Sequence, residues 1–275
     1  MKLFDYMIRF DRRYIFLIML IIVIIPMLIP LGLPVSVTPE VQNVYDRVKN
    51  IPDGGRVFIS MDYDPASMAE MEPMSLALLR HFFRKNLKVY AMCLVANGVS
   101  LVDRELTEIA GEFNKEYGKD YIYFGYRPYP AMVIMAMGEN FRNMFPKDFK
   151  NLDLNSLSIM QNVQNYNQMD LVVVITGTSG IDTWIIYGQG RYKFQMAVGL
   201  TAVMATDYYQ YMQTGQIIGL IAGLKGAAEY ERLIDVKAVA TKGMDVQSIA
   251  HLFIVLLIVV GNIAYFATRA KSGKI

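Results

Sequence analysis

The chain has 275 residues, 54% of them apolar and 19% charged, with a formal net charge of +2 and a single cysteine, Cys93. One cysteine excludes an intrachain disulfide and every multi-cysteine metal site. No basic run is interleaved with aromatics, so no nucleic-acid partner is expected.

The first element is a charge-free apolar run from Tyr14 to Pro34, preceded by Arg9, Arg12 and Arg13. About 20 apolar residues are enough to cross a hydrocarbon core as a helix. The run ends Pro-Leu-Gly-Leu-Pro without an Ala-x-Ala pattern, so it is expected to be an uncleaved anchor rather than a signal peptide. Pro26 and Pro30 are expected to kink its outer half. Residues 35–55 follow as a linker, with a short helix over Glu40–Lys49 and a turn at Asp53-Gly54-Gly55.

Strands and helices then alternate over 56–247. Strands are expected at 56–61, 88–95, 120–126, 171–176 and 194–202. Helices are expected at 67–86 (where Ser67 and Glu70 match a capping box), 101–117, 130–144, 154–168, 181–187 and 215–234. Continuously apolar strands separated by helices imply right-handed crossovers and a parallel sheet covered on both faces. The fold class expected is α/β: a Rossmann-like, doubly wound, mostly parallel sheet of about five strands, with one N-terminal and one C-terminal transmembrane helix.

The second anchor is expected over 248–268. Gly261 and Asn262 interrupt it, as tolerated polarity or as a helix–helix contact. Arg269, Lys271 and Lys274 follow, so residues 1–13 and 269–275 are expected to be cytoplasmic. The expected location is the cell (inner) membrane, crossed twice, with the α/β domain extracytoplasmic.

Ligands of such sheets bind beyond the carboxyl ends of the strands. The expected strand exits carry Asp62 and Asp64, Arg127, the loop Thr176-Gly-Thr178-Ser179-Gly180, and Asp207 with Tyr208 in an aromatic loop. The Thr176–Gly180 loop, with Gly180 opening a helix, offers backbone N–H groups to an anion. It equally serves as a tight strand-to-helix connection. Met-Asp62-Tyr-Asp64-Pro after an apolar strand resembles the first motif of haloacid-dehalogenase-type phosphatases. That resemblance implies Asp62 as nucleophile, Asp64 as general acid, magnesium between them, and Thr176 as the threonine motif. The chain departs from the family in lacking a later Asp-Asp pair and an assignable lysine motif. Without the resemblance, Asp62 and Asp64 read as turn residues.

Gly215, Gly219, Gly223 and Ala227 recur every four residues, which on one helix makes a smooth face for close packing or for a neighbouring subunit. Most of the 19 methionines are expected in the core, and neither a cofactor nor a metal is expected. The functional reading is a non-enzymatic subunit or scaffold of a membrane assembly, whose partners are the bilayer and either copies of itself or other membrane subunits. The alternatives are a membrane-anchored sensor for an anion or nucleotide-like ligand, and a magnesium-dependent phosphatase on Asp62 and Asp64.

Overall fold

A computed structural model describes residues 11–29 and 31–272; Arg9, Pro30 and Lys274 lie outside the described residues. Two compact units result: one from residues 35–240, the other from the chain ends, residues 1–34 and 241–275.

The central unit is an α/β fold. Helix α2 (Pro39–Lys49) is followed by β1 (Arg56–Asp62), α3 (Met68–Arg84), β2 (Lys88–Met92), α4 (Val99–Glu112) and β3 (Tyr121–Tyr123). Then come α5 (Pro130–Glu139), α6 (Phe141–Met144) and β4 (Leu171–Thr176). A helical run over 180–192, α7, contains a π-helical stretch at Trp184–Gln189. It leads to β5 (Met196–Leu200), α8 (Ala202–Gln213), β6 (Gly219–Ala222) and α9 (Gly223–Leu233).

All strand pairs are parallel and the order is β3-β2-β1-β4-β5-β6. The six-stranded sheet thus exceeds the expected five strands. It is doubly wound: the chain builds outward from β1 to β3, crosses back, and builds outward again from β4 to β6. The order reverses between β1 and β4, whose register pairs Asp62 with Thr176. Every residue of β4 is buried, which explains its unbroken Leu-Val-Val-Val-Ile-Thr sequence. On one face Phe58, Val172 and Val174 pack with Val133, Ile181, Trp184 and Phe194 in a single buried cluster. On the other face α3 packs against α9, and Gly199 leaves room for the Met74 sulfur.

The sixth strand corrects the expected helix over 215–234. Gly215 turns the chain at φ 75°, Gly219–Ala222 pairs with β5, and Gly223 turns it again at φ 55°. The helix begins only there. The four-residue spacing is therefore not a stripe on one face. A side chain at Gly219 would meet the Glu40 carbonyl oxygen of α2 at 2.7 Å, and one at Gly223 would meet Ala202 and Glu70 at 2.7 Å. Ala227 is buried on α9. The apolar run Ile217–Ala222 pairs as a strand because the sheet edge beside β5 buries it on both sides.

Three further expectations change. Residues 205–211, expected as an aromatic loop, lie within α8, which is capped by Thr201, whose side chain accepts from Met204 N. Residues 154–168, expected as a helix, form separate 3-10 turns, with Asp153 and Asn165 side chains taking backbone N–H groups. Asn, Asp and Ser compete with a helix in this way. The short helix expected in the linker forms as α2, but it is more than a connection: its Val41, Val44 and Val48 are buried and it packs on β6.

Helix α9 holds both ends of this unit. Glu229, 1% exposed, accepts from Thr38 N at 2.8 Å, Thr38 Oγ1 at 2.7 Å and Lys225 Nζ at 2.5 Å. Glu231 accepts from Ala238 N and Ala240 N, and Arg232 donates to the Val35 carbonyl. The incoming and outgoing chain are thus pinned to adjacent residues of one helix.

In the other unit, α1 (Arg12–Leu28) has 17 residues, shorter than the apolar run expected from the sequence, and α10 (Val239–Ser272) has 34. Helix α1 ends at Leu28, with Ile29 as its extended cap residue, and contains Pro26. Among the described residues one helical stretch, Val239–Ala267, is long and apolar enough to cross a membrane. Asp245, 1% exposed, accepts from Gly32 N at 2.8 Å and Leu33 N at 2.9 Å.

Replacing Glu229 by Ala removes the acceptor of three donors while Thr38 stays packed. A loss of about 2–3 kcal/mol in unfolding free energy is expected, with Glu229→Gln losing less. Chemical denaturation of the detergent-solubilised chain measures both.

Candidate functional site

The reversal between β1 and β4 places their exits side by side, where doubly wound sheets hold ligands. Here protein groups occupy that place. Asp62 closes β1 and is 3% exposed. Its Oδ1 accepts from Ser60 Oγ and Leu94 N, both at 2.7 Å, and its Oδ2 from Trp184 Nε1 at 3.0 Å. Burial pushes the Asp62 carboxyl up to about 6, against the lowering effect of those three bonds. Ser60 belongs to β1, Leu94 follows β2 and Trp184 lies on α7, so the carboxylate ties three elements together.

Asp64 is a turn former: its Oδ1 accepts from Ala66 N at 3.1 Å. Ser67 then lies against Gly177, where a Cβ would stand 2.8 Å from the Ser67 Cβ. No larger residue fits at 177 without moving the start of α3. The expected capping box does not form, because Ser67 makes no side-chain cap. Glu70 instead reaches across to accept from Ala202 N at 2.9 Å, joining α3 to the exit of β5.

The Thr176–Gly180 loop bonds two of its own backbone donors. Thr176 Oγ1 accepts from Thr178 N at 3.2 Å, and Thr178 Oγ1 accepts from Gly180 N at 3.3 Å. Thr176 is buried; Thr178 and Ser179 are exposed. Tyr208, 7% exposed, donates to Asp182 Oδ1 at 2.9 Å and so joins α8 to α7. Burial first, then the Asp182 carboxylate, raise its pKa. Asp207 beside it is exposed. The structure thus gathers Asp62, Asp64, Thr176, Thr178, Ser179, Gly180 and Tyr208 along the β1–β4–β5 exits. It does not gather Arg127, which follows β3, two strands away from β1. Arg127 is exposed, stands 5.3 Å from the Phe145 ring and bonds the Tyr126 carbonyl. Asn262 is exposed on α10.

Beneath the β1 exit is a group the sequence reading missed. Glu105 on α4 is fully buried, with Oε2 2.5 Å from Tyr63 Oη. Tyr63 Oη is 2.8 Å from Ser75 Oγ, which donates to the Met71 carbonyl. Ser75 therefore receives the Tyr63 proton, and the Tyr63 oxygen is left to accept one from Glu105. A protonated Glu105 fits that chain of donors. Burial pushes its carboxyl up to about 8, while Oε1 has no hydrogen-bond partner. The nearby Cys93 thiol is raised to about 12, by burial first and the Asp62 charge second. The signal was present: Glu105 lies among Leu101, Val102, Leu106 and Ile109 on the apolar side of its helix.

Among the described residues no group of three or more His, Cys, Asp or Glu is arranged to hold a metal ion. The phosphatase resemblance finds little support in this geometry, because the Asp62 oxygens face protein donors and the carboxylate is shielded from solvent.

No family model and no curated protein matches the chain. Among solved structures it is similar to a trehalose-6-phosphate synthase, OtsA, at 12% identity and a TM-score of 0.30, over 91% of this chain and 49% of that one. The chain thus spans about half the length of that structure, and a likeness at that TM-score carries no argument.

Glu105 gives a pH test. Its folded pKa lies above the ordinary carboxylate value, so the folded chain binds the proton more tightly than the unfolded one. The stability this contributes is fully present at low pH and declines as pH rises, by about 1.4 kcal/mol per pH unit between the unfolded and folded pKa values. Glu105→Gln keeps a donor for Tyr63 and removes the titration. From pH 5 to pH 8 the wild-type denaturation midpoint should fall by more than that of the Glu105→Gln variant, in which Asp62 and His81 still titrate.

Proposed function

We propose that this chain is a non-enzymatic subunit or scaffold of an oligomeric membrane assembly, displaying its Rossmann-like domain on the extracytoplasmic face. The observation that carries the reading is the filled β1–β4 exit. Asp62 is spent on internal donors, Ser67 lies against Gly177, and the Thr176–Gly180 loop bonds itself. A catalytic site of this fold needs reactive groups open to a substrate, and here the most strategically placed carboxylate is shielded. The apolar stretch of α10, long enough to span, supplies the membrane partner.

The two-pass topology belongs to the same proposal. Helix α1 exposes Phe16, Leu20, Ile24 and Leu28, as a lipid-facing helix does. Its 17 residues cover about 25 Å, and Ile29, Leu31 and Leu33 beyond it extend the apolar stretch. The basic residues flanking both apolar stretches support a cytoplasmic position for both termini.

A sensor role is favoured by one observation. A cavity of about 200 Å³ lies at the carboxyl ends of β5 and β6, lined by Thr38, Ala202, Tyr209, Ala222, Lys225 and Glu229. It pairs an apolar floor with Lys225, which bonds the buried Glu229, and with a second carboxylate, Glu40.

Two measurements test the proposal. Asp207→Cys should react with a membrane-impermeant maleimide on intact cells, and Lys274→Cys only after permeabilisation; the buried Cys93 gives little background. The reverse pattern discards the topology. Native mass spectrometry after gentle extraction should show an oligomer or a co-purifying subunit, and a strictly monomeric, partner-free species discards the scaffold.

A further inference from the structure

At the amino edge of the sheet, opposite the strand exits, lies a cavity of about 370 Å³. Its wall includes Arg56 and Lys88, the first residues of β1 and β2, with Lys119, Tyr90, Gly54 and Gln161. Three cationic side chains from three separate segments meet there.

Their present partners leave charge to spare. Lys88 holds Asp120 at 2.8 Å, and the other oxygen of Asp120 accepts from Glu116 N. Lys119 holds Glu116 at 3.1 Å in a pair exposed on both sides. Exposed pairs of this kind contribute little and exchange readily for a better anion. Arg56 forms no ion pair among the described residues; its backbone N–H, not its guanidinium, bonds the Asp170 carboxylate at 2.8 Å. Its charge stands beside the Tyr90 hydroxyl, which donates to the Ile159 carbonyl at 2.7 Å. A planar guanidinium without a carboxylate, flanked by two ammonium groups over a cavity of this size, suits the several oxygens of a tetrahedral phosphate group.

We propose that this amino-edge cavity binds a phosphate-bearing anion, with Arg56 as its fixed donor and Lys88 and Lys119 as mobile partners. The site is separate from the strand exits and holds whether or not the chain is a scaffold. The anion is either a soluble phosphate compound or a phospholipid headgroup.

Isothermal titration of the full chain in nanodiscs of zwitterionic lipid with inorganic pyrophosphate tests the site. Saturable binding is expected, weakened at least about tenfold by Arg56→Gln with Lys119→Gln. Gln161→Glu places a carboxylate on the wall without touching a cation and should weaken binding similarly; it decides the matter if the double variant melts early. Ser179→Ala, at the opposite edge, should bind as the wild type does. Nanodiscs containing phosphatidic acid separate the sources: competition with pyrophosphate supports a lipid headgroup, and its absence supports a soluble ligand. No saturable binding in the wild type, or equal binding by wild type and Gln161→Glu, overturns the proposal.

Discussion

The parallel pairing of β1 with β4 is the constraint on which the domain depends. It joins two halves that each grow outward, and it places the Asp62 carboxylate at the seam. Three donors, from β1, from Leu94 beyond β2 and from α7, converge on that carboxylate. A buried carboxylate persists only when its lone pairs are filled, and the Trp184 indole fills the one that faces the second half. The seam is thereby closed by the group that a ligand-binding relative of the fold would keep available.

Buried carboxylates recur as fasteners. Glu229 and Glu231 pin the two ends of the domain to α9, and Asp245 takes the two N–H groups of residues 32 and 33 in the other unit. The acceptors meet backbone N–H groups of irregular segments or of the start of a helix, which have no partner within regular structure. Glu105 differs. Its neighbours are a phenol and a hydroxyl, so it sits in the core as a neutral acid. The two patterns have the same origin: a carboxyl group in low dielectric is either supplied with donors or keeps its proton.

Much of the α/β alternation was legible, because buried parallel strands are written as unbroken apolar runs and Leu171–Thr176 admits little else. The candidate rim was legible in part. Asp62, Asp64 and the Thr176–Gly180 loop do lie at strand exits, but the Asp62 bonds point inward while those of Asp64 and the loop are local turns, and residue type alone does not say where a carboxylate aims. Trp184 was the missed partner: it stands 122 positions from Asp62, and no local pattern connects them. Glu70 misled for a similar reason, since its spacing from Ser67 matched a local cap while its carboxylate reached the exit of β5.

By itself the amino-acid sequence determined the fold class, the apolar stretch of the C-terminal helix and the position of most strands, because periodicity and run length are local properties of the chain. Only the tertiary structure decided that Gly219 lies in a strand rather than a helix, that 205–211 lies in a helix rather than a loop, and that Asp62 is internal. Those outcomes depend on what stands alongside: the edge of β5 offers Ile217–Ala222 a ladder, and Trp184 offers Asp62 a donor. Burial and pairing are long-range quantities, and the chain reveals them only when it is folded.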